Sequence, residues 1–218
     1  MEHDFWHAKW NLNQIGFHLD YAHPVLERNL GLFKTDNAKR VFVPLCGKTL
    51  DIGYLMGQGY EVVAVELSDV AVDSVFKQLN LTPDISPWQH GKIYSSKNLT
   101  IFVGDFFTLT QQDLGELTFV YDRAAIVALP ETMRIKYAQH LTQITQYAPQ
   151  LLLTLDYDQS IAGGPPFAVS PQEVAYRYGN DYDIQLLEEA DIIEGEPRFK
   201  DKGLTSFYQR AYKLIKSD

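Results

Sequence analysis

Two acidic side chains and one glycine-bearing turn stand where they could grip an adenosine-containing ligand. The apolar run RVFVPL at 40–45 leads into Cys46, Gly47 and Lys48. Gly47 allows a positive φ or a close backbone approach, and the helix starting near Thr49 would offer free N–H groups and a dipole suited to an anion. About 20 residues further on, the run EVVAVEL closes on Glu66, where an acid in open α/β folds accepts hydrogen bonds from a ribose diol. Asp105 follows TIFVG, and it or the Phe106 backbone could meet an adenine edge; VYDRAA then places Asp122 and Arg123 on the same rim. Taken singly, the turn reads equally as an ordinary Gly-capped turn and Glu66 as a solvated strand end. Together they point to adenosine.

A dinucleotide needs backbone N–H groups around two phosphates, normally from G-x-G-x-x-G, and Pro44 to Asp51 holds one glycine. That disfavours an NAD-linked oxidoreductase and favours a phosphate-free adenosine ligand such as S-adenosylmethionine; a non-enzymatic sensor of such a ligand stays open. Cys46, the only cysteine, sits where a helix N-terminus could lower its pKa and make it a nucleophile, although methyl transfer needs no covalent enzyme intermediate. His3 and His7 have helical spacing without the glutamate a zincin requires, so no metal is expected.

The elements that must position these residues read as α/β. Continuous apolar runs at 40–45, 61–67, 99–107, 117–124 and 150–157 suit parallel strands covered on both faces. Helices are predicted at Leu50–Gln58, Ser68–Leu79, Pro130–Tyr147 and Pro171–Tyr178, with Ser68 as an N-cap and SPQEV resembling a capping box. DYDIQLLEEADII and LTSFYQRAYKLIK read as an antiparallel edge hairpin, and two further helices fall at Phe5–Leu12 and Pro24–Leu32. The expectation is a Rossmann-like, mostly parallel seven-stranded sheet with an antiparallel edge and helices on both faces. The 218 residues fit a single domain, 1–218, opened by an aromatic lid segment over 1–35. Truncating 1–18 would separate that lid from a mere helical staple. The net charge of −9 repels phosphate backbones and anionic surfaces, so neither nucleic acid nor membrane is an expected partner. The acidic, histidine-bearing start and the lone cysteine fit a soluble cytoplasmic monomer.

The chain resembles the thiopurine S-methyltransferases, particularly the bacterial type. FWHAKWNLNQIGFH (5–18), RVFVPLCGKTLDIGYL (40–55), VVAVELSDVAV (62–72), GDFF (104–107), VYDRAAIVALP (120–130), GPPFAV (164–169) and PRFKDKGL (197–204) carry the resemblance in order along nearly the whole chain. It implies a class I methyltransferase fold and methyl transfer from S-adenosylmethionine to aromatic or heterocyclic thiols, with selenium or tellurium species as alternative acceptors. It also implies roles: Trp10 covering the cofactor, Leu45 contacting it through its backbone, Glu66 on the ribose, Asp105 and Phe106 beside the adenine, and Arg123 at the rim. Phe17 and Arg198 match the substrate side, and Arg123 and Arg198 would orient the acceptor without a dedicated base. One local difference is QYAPQLLL, where bacterial relatives carry a glycine-containing turn.

Overall fold

A computed structural model describes residues 3–12, 18–34 and 39–218. The chain divides into two compact units, 1–121 and 122–218. The helices are α1 (His3–Asn11), α2 (Pro24–Asn29), α3 (Asp51–Gly57), α4 (Asp69–Gln78), α5 (Gln111–Leu114), α6 (Glu131–Ile144), α7 (Pro171–Tyr178) and α8 (Pro197–Lys200). The strands are β1 (Arg40–Val43), β2 (Glu61–Glu66), β3 (Asp84–Trp88), β4 (Gly91–Ser96), β5 (Leu99–Gly104), β6 (Phe119–Asp122), β7 (Gln150–Asp156), β8 (Tyr182–Asp191) and β9 (Tyr208–Lys216). Among the described residues no helix is long and apolar enough to cross a membrane.

In the first unit the strand order is β3-β4-β5-β2-β1-β6. β1 pairs in parallel with both β2 and β6, and β2 pairs in parallel with β5. The chain steps outward from β1 to β2 and on to β5, then returns to the opposite side of β1 as β6. The order therefore reverses at β1, and in such sheets ligands bind beyond the carboxyl ends of the strands at that reversal. Val41, Phe42, Val62 to Val65, Ile101, Phe119 and Val120 are fully or almost fully buried, as strands without a wet face require.

Two of the nine strands were absent from the expected seven. β3 and β4 form a hairpin that pairs antiparallel with β5. β3 is almost wholly exposed and contains Pro87, so it has neither an apolar face nor a clean alternation to announce it. In the second unit β9 pairs antiparallel with β7 and β8, so the expected C-terminal hairpin is present.

Helix ends differ from their reading in two places. Ser68 occupies the N-cap of α4 without a side-chain cap bond; its backbone N–H donates to Glu66 instead. Ser170 does cap α7, accepting from the Glu173 N–H, but the Glu173 carboxylate is taken by Arg134 in a bidentate pair and by Arg177, so the box is half made. The turn at QYAPQ has a physical explanation. α6 closes with the Gln146 N–H on the Gln143 carbonyl and the Tyr147 N–H on the Thr142 carbonyl, while Gln146 and Tyr147 stand at φ 52° and 59°. That is a Schellman closure, whose left-handed position favours glycine. α4 ends the same way, with the better-suited Asn80 at φ 54°.

Gln146 is exposed, so Gln146→Gly should relieve the left-handed strain and raise stability by about 0.5–1 kcal/mol, or Tm by about 1–4 °C in a chain of this size. Thermal unfolding of the variant checks this; an unchanged or lowered Tm contradicts it.

Candidate active site

The Glu66 carboxylate ends β2 and is only 6% exposed. Its Oε2 accepts the Gly47 N–H at 2.9 Å, and its Oε1 accepts those of Leu67 and Ser68 at 2.8 and 2.9 Å. Burial raises its pKa, and the three backbone N–H groups oppose that rise by stabilising the ionised form. An ionised carboxylate has about four acceptor sites, so one lone pair of Oε2 is not engaged by these bonds. A hydroxyl donor is what that position suits.

The turn that meets Glu66 is strained. Leu45 has φ 45° and Gly47 φ 54°, and the Cys46 N–H between them donates to the Val65 carbonyl of β2 at 3.0 Å. A bulky residue in the left-handed region costs about 1–3 kcal/mol, and such strain persists only where neighbours over-determine it. Here the Cys46 and Gly47 amides are both committed to β2. The Cys46 thiol is buried, and burial first, then the Glu66 charge, pushes its pKa well up. The possible lowering of this thiol's pKa by the helix terminus is thereby outweighed.

Val103 pairs with Glu66 across β5 and β2, so Asp105 and Phe106 follow a neighbouring strand end. The Asp105 Oδ1 accepts the Phe107 N–H at 2.9 Å and caps a 3-10 turn, Phe106–Thr108. Phe106 is buried with its ring 5.3 Å from that of Phe107. Trp10 is 6% exposed on α1, which lies against α4, so its ring is embedded in the unit. Phe17 lies outside the described residues.

Sequence reading passed over Asp51. This carboxylate, 1% exposed in the first turn of α3, accepts the His23 N–H at 2.6 Å, the Thr49 hydroxyl at 2.9 Å and the Tyr121 hydroxyl at 3.1 Å. It joins the start of α2, the segment after Gly47 and the end of β6. The signal was an acid at a helix start, which alone reads as a dipole partner and does not reveal its burial.

In the second unit, Asp122 is fully buried. It accepts the Tyr137 hydroxyl at 2.7 Å and the N–H groups of Ala125 and Ile126, which fold the chain sharply after β6 through Ala124 at φ 61°. Arg123 is half-buried between these two. Burial pushes the Asp122 pKa up to about 6, against the pull of its hydrogen bonds. The buried Tyr178 hydroxyl has no hydrogen-bond partner among the described residues, and burial, then the Asp122 charge, raises its pKa well up.

Arg198 is exposed on α8, with its guanidinium carbon 5.0 Å from the Phe199 ring centre. It stands in no ion pair within 4 Å among the described residues, although its charge opposes the burial that raises the pKa of nearby Glu196. Phe199 belongs to a buried aromatic cluster with Tyr157 and Phe207. The Tyr157 hydroxyl donates to the Pro166 carbonyl, so the GPPF segment and α8 rest on the same cluster.

The thiopurine S-methyltransferase family model matches residues 1–217. A thiopurine S-methyltransferase of Teredinibacter turnerae is 45% identical over 195 residues, covering 89% of this chain and 91% of that one. One from Pseudomonas fluorescens is 42% identical over 214 residues, covering 98% and 99%. Among solved structures, a Burkholderia thailandensis 1,6-didemethyltoxoflavin N1-methyltransferase with bound S-adenosylhomocysteine superposes with a TM-score of 0.64 at 13% identity, covering 99% of this chain and 87% of that one. A methyltransferase of Anabaena variabilis gives 0.62 at 13% identity, covering 99% and 95%. These structures show the fold: α/β, Rossmann-like, with a mostly parallel mixed sheet.

Asp122 provides a pH test. An unfolded aspartate titrates near 3.9, so between about pH 4 and 6 the folded chain keeps a proton that the unfolded chain has lost. Its contribution is present below pH 4 and is lost as pH rises through about 6. From pH 4 to 7 the wild type should lose about 2–3 kcal/mol relative to Asp122→Asn, measured by urea unfolding at each pH. Parallel pH profiles would contradict the assignment.

Proposed function

Because the chain belongs to the thiopurine S-methyltransferase family, we propose that it methylates the sulfur of aromatic and heterocyclic thiols such as thiopurines. It is an S-adenosylmethionine-dependent methyltransferase. The observation that carries the assignment of its site is the Glu66 carboxylate, buried, fixed by three backbone N–H groups and retaining acceptor capacity at Oε2.

When bound, S-adenosylmethionine supplies an electrophilic methyl carbon on a sulfonium, which an acceptor sulfur takes by in-line displacement. Glu66 would accept hydrogen bonds from the ribose hydroxyls, the Leu45 backbone would contact the cofactor at the end of β1, and Asp105 with Phe106 would border the adenine. Trp10 supplies an aromatic wall that keeps water from the sulfonium side, where a ring face near a cation gains about 0.5–2 kcal/mol. Aligning three atoms could contribute about 7–11 kcal/mol in favourable cases. An acidic heteroaryl thiol arrives largely as thiolate, so the chain need not remove a proton. Arg123 and Arg198 bind and orient that anion; a cation within about 4–6 Å favours the charged form. Exposure of Arg198, whose guanidinium makes no close ion pair among the described residues, supports this role. Selenium or tellurium acceptors would use the same geometry, while the single glycine of the first turn disfavours NAD. The same reading takes the protein as a cytoplasmic monomer.

Glu66→Gln should raise the Kd for S-adenosylhomocysteine about ten- to a hundredfold, as expected on losing a hydrogen bond to a charged group, by titration calorimetry. Arg198→Ala should lower kcat/KM for a thiopurine about tenfold while leaving that Kd within about twofold. Unchanged specificity constants in both Arg123→Ala and Arg198→Ala would remove the substrate-orienting role.

A further inference from the structure

The β3–β4 hairpin holds, by separate side-chain bonds, both segments assigned above to the adenosine half of the cofactor. On one side, the Trp88 indole N–H donates to the Asp113 Oδ1 at 3.2 Å. The other Asp113 oxygen accepts the Thr110 N–H and hydroxyl at 2.8 and 2.7 Å, closing the capping box of α5. The stretch from Asp105 to Leu114 is thereby pinned at its far end to the hairpin, while β5 holds its near end. On the other side, the Tyr94 hydroxyl donates to the Asp69 Oδ1 at 3.2 Å, and the Lys92 ammonium reaches the same oxygen at 2.8 Å. Asp69 immediately follows Ser68, whose N–H is one of the three that fix Glu66. Tyr94 is buried with its ring 5.9 Å from Phe76, near the far end of α4, so the same side chain touches α4 at both its start and its later turns.

The hairpin has no slack of its own. A Cβ on Gly91 would lie 2.0 Å from the Val103 carbonyl oxygen, and one on Gly104 would lie 2.8 Å from that of His90 and 3.0 Å from the Trp88 ring. Its turn is thus seated directly on the last residue of β5, next to Asp105, with Trp88 also edge-on to Phe102 at 5.1 Å. We propose that the hairpin is the positioning element of the adenosine subsite: Trp88 sets the Asp105–Phe106 segment, and Tyr94 with Lys92 sets the start of α4 behind Glu66. None of the three needs to touch the ligand. They act through the loops they hold, so their removal should weaken adenosine binding and leave the acceptor side alone.

This inference rests on the adenosine reading of Glu66, Asp105 and Phe106, and the experiment separates the two. S-Adenosylhomocysteine binding is measured for the wild type, Glu66→Gln, Trp88→Phe, Tyr94→Phe and the Trp88→Phe/Tyr94→Phe double variant, with Tm and thiopurine kinetics in parallel. Tyr94→Phe removes only a hydroxyl donor, and Trp88→Phe removes the indole N–H together with part of the ring packed on Gly104 and Phe102, so each single variant should raise Kd at least about three- to tenfold, the scale of one partly buried hydrogen bond. The rise should appear in the KM for S-adenosylmethionine, with the thiol KM and kcat at saturating cofactor within about twofold. A weakened Glu66→Gln beside hairpin variants that bind normally overturns the hairpin role alone; a Glu66→Gln that binds normally overturns the adenosine reading and the inference with it. A thiol KM that rises in step with Kd also overturns it, since that would signal general loosening. Should the double variant unfold, amide hydrogen exchange on the wild type decides. Added S-adenosylhomocysteine should slow exchange over 88–94 together with 66–68 and 105–108, and protection of the latter two without the hairpin overturns the proposal.

Discussion

A carboxylate cannot be sealed inside this protein without donors, and the position of Glu66 follows from that constraint. Left unsatisfied, such a group would take up a proton or cost several kcal/mol, a large share of the roughly 5–15 kcal/mol by which a domain of this kind is folded. The three N–H groups that satisfy it come from the turn after β1 and from the two residues after Glu66 itself. Meeting the first of them requires the chain to pass Leu45 and Gly47 through the left-handed region while Cys46 stays bonded to β2. The strand-end turn, the acid and the origin of α4 are therefore one unit of geometry, and a ligand hydroxyl added at Oε2 would meet a preset acceptor. Such preorganisation lowers what binding must spend on ordering side chains.

Two other buried carboxylates hold loop segments in place. Asp51 ties the beginning of α2 to α3 and to Tyr121, so the segment following Gly47 cannot drift from the end of β6. Asp122 gathers the amides of the turn that carries Arg123. In each unit a buried carboxylate gathers donors from segments beyond a strand end, hydroxyls and one amide for Asp51 and two amides and a hydroxyl for Asp122.

The central strands, and the place of Glu66 at the end of one of them, were legible because their signals are local and strong: buried parallel strands are unbroken apolar runs, and one of these runs closes on the acid. What escaped reading depends on tertiary contact. The β3–β4 hairpin carries Pro87 and almost no buried side chain, so its existence is decided by pairing with β5. The diversion of Glu173 from its cap to Arg134, and of the Ser68 amide to Glu66, needs partners distant in sequence or bonds that propensity does not encode. A place before a helix could have lowered the Cys46 pKa, yet burial and then the Glu66 charge raise it. The glycine missing from QYAPQ was noticed as a difference, and only the Schellman closure at Gln146 shows what it costs.

A crystal structure of the protein with S-adenosylhomocysteine tests the central claim most directly. The ribose hydroxyls should lie within hydrogen-bond distance of the Glu66 Oε2, with the three backbone N–H bonds to that carboxylate intact and the adenine beside Phe106. An adenosyl group bound elsewhere, or a Glu66 side chain rotated away from the sugar, would contradict the account.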